Sequence, residues 1–294
     1  MEESDMNDSA LKAEAARRGG ENNLGRLLLD HGKIKQPDIE RILQYAKRKG
    51  LRFGEAAIKL KVVSRADVEY ALATQFEYPY LLKGEGGFSK ELVAAYKPFT
   101  PKVEAMRALR GQLMVRWFND EHNCLAIVNP DSGTGRSYLV ANLAVVFSQL
   151  GDRTLLVDAD MQNARQHKIF GLDNSTGLSA ALVGRNYGDL PIQDILLFKN
   201  LSVMTAGAPP PNPSELLGRS HFSQIQEQLA KSYDIVLFDT PPGNSSTATE
   251  AVAGVCGGAL MILTRNHTRI SEAKTFVDRL QTHVNIVGTV LSRT

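Results

Sequence analysis

The chain has 294 residues, of which 43% are hydrophobic and 22% are charged, and its formal net charge is +2. This length predicts one α/β domain together with something smaller. A charge so close to neutral argues against a large surface for nucleic acid or anionic lipid. No apolar run approaches the roughly 20 residues that span a bilayer, and the polar amino terminus does not resemble a signal peptide. We therefore expect a cytoplasmic protein that reaches a membrane only through a partner.

The first 82 residues divide into a polar tail and an internal repeat. Residues 1–23 contain few large apolar side chains, which predicts a disordered tail. Residues 24–82 contain two similar copies, in which Leu24-Gly25 corresponds to Phe53-Gly54. Each copy predicts two helices joined by a turn, and Ser64 and Asp67 have the spacing of a capping box. Because one copy cannot bury its apolar face, we expect the two to pack into a small helical domain.

The rest of the chain predicts a linker followed by a larger domain. Residues 83–101 contain a glycine-rich run and two prolines, which indicates a linker. Over residues 102–294, strands alternate with helices, which predicts an α/β fold with a mostly parallel, doubly wound sheet. The predicted strands are Cys124–Asn129, Thr154–Asp158, Leu201–Ala206, Asp234–Asp239, Gly258–Thr264 and Asn285–Leu291. The predicted helices are Lys102–Trp117, Arg136–Leu150, Phe222–Lys231 and Ile270–His283.

The segment PDSGTGRS, residues 130–137, has the length and setting of a phosphate-binding Walker A loop of a P-loop NTPase. A strand precedes it and a helix follows, so backbone N–H groups and the helix dipole would face an anion. Gly133 and Gly135 permit a positive φ, and Ser137 can offer a hydroxyl ligand to Mg²⁺. Nucleotide contacts are expected from Asp131, Ser132, Gly133, Thr134, Gly135, Arg136, Ser137 and Tyr138.

Two residues depart from the usual G-x-x-x-x-G-K-[ST] pattern of such a loop. Pro130 stands at the first glycine position, where it fits because the chain is leaving the sheet. Arg136 replaces the lysine, which keeps the positive charge, but its planar fork cannot follow the path of an ammonium to the phosphates. Nucleotide binding can survive this exchange, while catalysis is more sensitive to it.

Acidic residues end two further predicted strands. Asp158 and Asp160 could divide the work beside a metal, one orienting its water shell and the other accepting a proton. Asp239 would hold Mg²⁺ directly or through water. A lone strand-end aspartate is usually a helix cap, but three such segments in order favour a nucleotide site. The expected catalytic set is Asp158, Asp160 and Arg136, the expected metal set is Ser137, Asp158 and Asp239, and the expected base contacts are Arg265 and Asn266.

From about residue 100 onward, these motifs resemble the cytoplasmic domain of bacterial tyrosine kinases that accompany polysaccharide synthesis. Residues 155–160 resemble the Walker A′ motif of that family, and residues 210–217 (PPNPSELL) resemble another of its signatures. Residues 104–110 match its E-x-x-R-x-x-R motif, which packs neighbouring subunits into a ring. The best fit is the EpsG-type group of chain-length-determinant tyrosine kinases, in which the kinase is a separate soluble chain.

The resemblance implies an ATP-dependent tyrosine kinase with Mg²⁺ that acts with a membrane chain-length regulator. It also implies a homo-oligomer held by Glu104, Arg107 and Arg110. The family carries a carboxyl-terminal tyrosine cluster, whereas this sequence has no tyrosine after Tyr233. A nucleotide-binding regulatory subunit with little turnover, which gates polysaccharide assembly, therefore stays open as a second hypothesis. A partition-type ATPase is disfavoured because Asp131 stands where such proteins carry their signature lysine.

The repeat in residues 24–82 resembles the small domain that precedes type II secretion ATPases. Some of those domains bind cyclic di-GMP through tandem R-L-G…Q motifs. The second copy keeps Arg52-Phe53-Gly54 and Gln75, but the first copy has Asn23 and Ala46 at the arginine and glutamine positions. This incomplete pattern favours a protein-docking domain over a cyclic di-GMP receptor.

Overall fold

The computed structural model of the chain describes residues 24–75, 81, 84–184, 189–244 and 247–292. The disordered tail predicted for residues 1–23 lies outside these ranges. The chain divides into two compact units, Met1–Leu82 and Lys83–Thr294. Along the described residues, no helix combines the length and the apolar character that crossing a bilayer requires.

The smaller unit consists of two helical hairpins. Its helices are α1 (residues 24–30), α2 (Gln36–Lys49), α3 (Phe53–Lys59) and α4 (Arg65–Gln75). Phe53 is almost fully buried and its ring lies against Gly25, while Gly54 packs so closely on Val68 that a Cβ there would approach Val68 Cγ1 to 2.9 Å. The paired apolar residue and glycine that mark the repeat are therefore required by packing.

The second helix of each hairpin begins with the same carboxylate contact. The Ser64 N–H donates to Asp67 Oδ2 at 3.0 Å, and the Asp67 N–H donates to Ser64 Oγ at 3.1 Å, which completes the predicted capping box. In the first hairpin, the Lys35 N–H donates to Asp38 Oδ2 at 2.9 Å. These contacts satisfy backbone groups that a helix start otherwise leaves without partners.

The larger unit is a sheet covered by helices on both faces, as predicted. Its helices are α5 (Val93–Tyr96), α6 (Pro101–Arg116), α7 (Arg136–Ser148), α8 (Gln166–Phe170), α9 (Leu178–Leu182), α10 (Pro213–Leu217), α11 (Ser220–Ser232), α12 (Ala248–Cys256) and α13 (Ile270–Leu280). Its strands are β1 (Cys124–Val128), β2 (Thr154–Asp158), β3 (Gln193–Asp194), β4 (Leu201–Met204), β5 (Ile235–Asp239), β6 (Gly258–Thr264) and β7 (Asn285–Ser292). Within the described ranges they form one sheet in the order β3-β4-β2-β5-β1-β6-β7, parallel except at β3.

The six predicted strands are all present, with ends that differ by at most two residues. The antiparallel strand β3 was not predicted, because two residues are too few to show an alternating pattern. The short helices α8, α9 and α10 were missed for the same reason, since five residues make little more than one helical turn. The predicted helix ending at His283 stops at Leu280, where Gln281 caps it through its N–H to Val277 O.

Three central strands determine where polar chemistry can occur. Every residue of β1, β2 and β5 is buried, and apart from Thr154 at the start of β2 the polar side chains lie at or just after the carboxyl ends of these strands. Strand β2 pairs directly with β5, and their final residues, Asp158 and Asp239, are register partners. Strand β1 lies on the other side of β5. The loop after β1 therefore meets the carboxylates of two neighbouring strand ends.

The predicted linker, residues 83–101, lies largely within the larger unit. Leu92 and Ala94 are fully buried there. The buried side chain of Asn142 on α7 accepts a hydrogen bond from Ala94 N–H at 2.8 Å and donates to Glu91 O at 2.9 Å. This amide thus fastens the segment to the helix that follows the glycine loop.

We expect replacement of Ser64 by Ala to destabilise α4 by about 1 kcal/mol, because a capping partner is lost. Burial alone would raise the pKa of Asp67, but hydrogen bonds from Ser64 and the Lys33 ammonium outweigh it, so the pKa lies below 3.8. The stabilisation that the ionised Asp67 gives to α4 is therefore complete above pH 3.8, and it is lost as the pH falls through the lower pKa of the folded state. An NMR titration of the Asp67 carboxyl should move back toward 3.8 in Ser64→Ala. An unchanged titration would contradict the cap.

We expect replacement of Asn142 by Ala to loosen residues 84–97. The change leaves the buried Ala94 N–H without its side-chain acceptor and removes one of the two hydrogen bonds to Glu91 O, and it should cost about 2 kcal/mol. Hydrogen-exchange mass spectrometry should show faster exchange in this segment, with the sheet strands unaffected. Gln228→Ala, at an exposed position on α11, is the matched control and should leave exchange unchanged. Equal protection of residues 84–97 in both variants would disprove the anchoring role.

Candidate functional site

The glycine loop runs from the end of β1 to the first residue of α7. Gly133 and Gly135 adopt left-handed φ values of 74° and 76°. A residue with a side chain would be strained there by roughly 1–2 kcal/mol, so the glycines are needed for this turn. The loop leaves a strand and enters a helix N-terminus, which is the arrangement predicted for phosphate binding.

The loop is held in shape by groups outside the predicted motif. The amide of Asn129 is buried at the end of β1 and donates to Thr134 Oγ1 at 2.6 Å. The segment after β5 contacts the loop through Gly243 N–H to Asn129 O at 2.8 Å and Asn244 N–H to Pro130 O at 2.9 Å. The loop is therefore held in this shape by contacts with neighbouring protein groups.

Arg136 opens α7, and its side chain turns into the protein. It is only 7% exposed, and its guanidinium donates to Asp239 Oδ1 at 2.7 Å and to Asp160 Oδ2 at 3.0 Å. The remaining nitrogen, Nη1, donates to Asn129 Oδ1. The planar fork of an arginine can make three directed contacts of this kind, which a single ammonium cannot match. The residue predicted to clamp phosphate thus binds two carboxylates in this structure.

Asp158 is fully buried and accepts hydrogen bonds from three backbone N–H groups. These donors are Asp160 at 3.2 Å, Arg165 at 2.9 Å and Gln166 at 2.9 Å. Two of these donors lie at the start of α8, so the carboxylate caps that helix. Burial, together with the neighbouring Asp239 carboxylate, raises the pKa of Asp158 well above its usual range. The three backbone donors thus occupy both oxygens of this carboxyl group inside the protein.

Asp160 is less enclosed than Asp158. Its Oδ1 accepts from Asn163 N–H at 3.0 Å, and its Oδ2 is paired with Arg136. Burial raises the pKa of this carboxyl as well, and the charge of Arg136 partly offsets the rise. A carboxylate with a raised pKa and one exchangeable partner is suited to accepting a proton.

Gln166 was not among the predicted site residues. Its side chain is completely buried, and Nε2 donates to Asp239 Oδ2 at 2.7 Å and to Ser137 O at 3.1 Å. It therefore joins the end of β5 to the first turn of α7. Its Oε1 is buried without a hydrogen-bond partner among the described residues. Asn129 could have been found by the strand-end rule that identified the aspartates, but nothing in the sequence around Gln166 marks it.

The remaining predicted nucleotide contacts include Arg265, Asn266 and Tyr138, which lie outside the carboxylate cluster. Thr264 ends β6 and its hydroxyl donates to Thr134 O at 3.4 Å, so Arg265 and Asn266, which follow directly, lie beside the loop. Asn266 has a left-handed φ of 62°, which asparagine tolerates. The Tyr138 ring lies under the Lys102 ammonium at 5.4 Å, which associates its side chain with α6.

The three residues predicted to join subunits share one side of α6. Arg107 pairs with Glu104 within the helix, and Arg110 donates to the carbonyl of Val146 on α7. Arg110 therefore contributes to packing within the larger unit. The role of these residues in oligomerisation stays a prediction.

The oxygen donors at the site suit Mg²⁺, but they do not form a complete cage. Ser137 and Asp239 offer the hard oxygen ligands that Mg²⁺ prefers. Among the described residues, no group of three or more His, Cys, Asp or Glu side chains is placed to hold a metal by itself. The residues present therefore fit a metal that takes most of its ligands from phosphate and water.

Comparison with known proteins identifies relatives of the larger unit. Residues 122–255 match the AAA domain family. The putative tyrosine-protein kinase CapB of Staphylococcus aureus is 35% identical over 178 residues, which cover 60% of this chain and 78% of CapB. The kinase domain of the Escherichia coli tyrosine kinase ETK superposes with a TM-score of 0.66 and 32% identity, covering 69% of this chain and 79% of that domain.

The same comparison shows which parts of the relatives are shared. The chimerical protein CapA2B2 superposes with a TM-score of 0.66 at 29% identity, covering 77% of this chain and 99% of the chimera. Several longer curated relatives, also named tyrosine-protein kinases, are covered over only 26–29% of their length.

We expect Gln166→Leu to lower the free energy of unfolding of the larger unit by about 2 kcal/mol, because a hydrogen bond to a charged group is lost. Urea unfolding can be followed by the fluorescence of Trp117, the single tryptophan, which is buried in this unit. Gln162→Leu, four residues earlier and exposed, is the matched control. The bridging role would be wrong if the two variants lost the same stability.

Proposed function

Because this chain belongs to the bacterial tyrosine-protein kinase family, we propose that it transfers phosphate from Mg-ATP to a protein tyrosine. The observation that supports this most strongly is the meeting of three segments at one edge of the sheet. The glycine loop before α7 shares contacts with Asp160 after β2 and with Asp239 at the end of β5. Loop amides and neighbouring carboxylates are the groups that phosphoryl transfer requires.

The loop and the carboxylates would take different parts of the substrate. Backbone N–H groups of residues 131–137 would bind the β- and γ-phosphates, and Arg265 and Asn266 would lie near the base. Ser137 and Asp239 would hold the metal, and Asp158 would orient its water shell. Mg²⁺, when bound, supplies charge that offsets the negative charge of the phosphates. Most of the catalytic effect would then come from positioning and charge stabilisation.

Asp160 is the better candidate for the catalytic base. Asp158 is occupied by three backbone donors, whereas one Asp160 oxygen is held only by the movable Arg136 side chain. The tyrosine oxygen would attack the γ-phosphorus, the bond from that phosphorus to the ADP oxygen would break, and the tyrosine proton would pass to Asp160. Arg136, once released from the carboxylates, would contact the transferring phosphate.

The family resemblance also supports a setting for this activity. We propose that the kinase controls the chain length or export of an exopolysaccharide together with a membrane chain-length regulator. Membrane contact would then come through that partner, and homo-oligomer formation would involve Glu104, Arg107 and Arg110. The smaller unit would dock a protein partner. Phe53 of its Arg-Phe-Gly sequence serves the core, and the first repeat lacks the residues that cyclic di-GMP would need.

One observation favours the second hypothesis, a nucleotide-binding regulatory subunit. Arg136 is engaged by Asp160 and Asp239, and it would have to leave both before it could assist transfer. A loss of about 1.4 kcal/mol of transition-state stabilisation already slows a reaction tenfold. A chain with this arginine could bind nucleotide, change its assembly state and still turn over slowly.

We expect Asp160→Asn to reduce phosphotyrosine formation about a hundredfold, the usual effect of losing a general base. The full chain would be incubated with labelled ATP, Mg²⁺ and the cytoplasmic segment of the partner, followed by phosphotyrosine mapping. Asp120→Asn changes an exposed aspartate and should transfer at the normal rate. Tight nucleotide binding without transfer in the wild type would favour the regulatory subunit. Failure to bind nucleotide would exclude both functions.

A further inference from the structure

The guanidinium of Arg136 lies where a cation is needed in the proposed kinase. It spans the ends of β2 and β5, with Nη2 3.0 Å from Asp160 Oδ2 and Nε 2.7 Å from Asp239 Oδ1. Asp239 is fully buried and Asp160 is 3% exposed, so bulk water solvates neither carboxyl group. The arginine therefore provides a positive counter-charge beside both buried carboxyl groups.

No other cation is in position to do this among the residues described. The nearest basic side chain along the chain, Arg165, donates from Nη2 to both oxygens of Glu91 at 2.8 and 2.9 Å. Only its backbone N–H reaches the cluster, through Asp158. Removal of the Arg136 side chain would therefore leave buried carboxylates without a counter-charge. Such groups must either take up protons or bind another cation.

The same two carboxylates are required by the function proposed above. Asp239 would hold the metal, and Asp160 would accept the tyrosine proton. A divalent ion held by Asp239 would compete with the guanidinium for this carboxylate, and it would also place a second positive charge beside Asp160. The charges are also of the same sign, so simultaneous occupancy at this separation is strongly disfavoured.

On these grounds, and resting on the proposed function, we propose that Arg136 and the divalent metal are alternative occupants of the carboxylate cluster. In the nucleotide-free protein, the arginine neutralises Asp160 and Asp239 and excludes free metal. When a metal-nucleotide enters, the phosphates give Arg136 a new anionic partner and the metal takes its place. The arginine thus makes metal binding dependent on nucleotide.

A second feature of the cluster agrees with this exchange. Gln166 Oε1 is fully buried and has no hydrogen-bond partner among the described residues, although Nε2 of the same amide contacts Asp239. A buried amide oxygen without a donor is uncommon in folded proteins. Water bound to a metal at Asp239 would supply the missing donor, whereas the guanidinium does not contact it in this structure.

The test measures metal binding without turnover. Mn²⁺ would be titrated into the full wild-type chain by calorimetry, with and without ADP, and free Mn²⁺ would be followed by electron paramagnetic resonance. We expect no stoichiometric binding of Mn²⁺ alone and one ion per chain when ADP is present. Arg136→Met should bind Mn²⁺ alone at least about tenfold more tightly than the wild type, a difference of one decade in Kd.

Arg153→Met is the matched control. Arg153 also bridges to an aspartate, Asp234, but at the opposite ends of β2 and β5, where both side chains are exposed. This variant loses the same charge and the same kind of ion pair, and its Mn²⁺ binding should equal that of the wild type. Tighter binding in both variants would show that net charge, and not the position of Arg136, controls the metal.

Thermal unfolding followed by Trp117 fluorescence shows whether the Arg136→Met variant is folded and whether it binds Mn²⁺. Saturating Mn²⁺ without ADP should raise the midpoint of Arg136→Met by about 5 °C and leave the wild type unchanged. If that variant cannot be obtained, Arg136→Lys should give an intermediate affinity for Mn²⁺. The proposal is overturned if the wild type binds Mn²⁺ without nucleotide as tightly as Arg136→Met does. It is also overturned if neither Arg136→Met nor Arg136→Lys binds Mn²⁺ more tightly than the wild type. A wild type that binds no ADP in the presence of Mn²⁺ would instead overturn the nucleotide site.

Discussion

The candidate site depends on the pairing of one buried arginine with a group of buried carboxyl groups. Asp158, Asp160 and Asp239 lie at neighbouring strand ends, where burial removes the solvent that would stabilise negative charge and makes a nearby cation a major stabilising influence. Arg136 supplies that cation from the first residue of α7. Its third contact, to Asn129, connects this group of charged residues to the end of β1. The loop, the metal ligands and the proposed base are therefore parts of one network, and no member can change without affecting the others.

This coupling bears on both functional hypotheses. A kinase and a nucleotide-dependent assembly switch share the same first event, which is the arrival of phosphates at the glycine loop. They differ in the step that comes after Arg136 releases Asp160. If the freed carboxylate reaches a tyrosine hydroxyl, phosphate is transferred; if it does not, the bound nucleotide acts only through the conformation it stabilises. Membership of the tyrosine-kinase family favours the first outcome.

The sequence predicted the positions of the acidic residues well, and their partners much less well. Asp158 and Asp239 end long apolar runs, so their place at the edge of a parallel sheet follows from hydrophobic patterning. The direction of the Arg136 side chain depends on three residues brought together by the strand order, which no local pattern contains. Gln166 begins a five-residue helix and resembles any surface amide in the sequence, so only the fold reveals its burial.

The enclosure of α7 limits how the arginine can move. Nearly every residue of this helix after its first turn is buried, and its Asn142 amide is tied to the segment before α6. Close-packed interiors resist sliding or tilting of such an element. Departure of the guanidinium from its carboxylates must then proceed by rotation about side-chain torsions, with the backbone stationary. The energetic barrier lies in separating buried ion pairs, which salt screens only weakly. The negative charge brought by an incoming ligand, more than any rearrangement of the apolar interior, should therefore govern how readily the guanidinium is released.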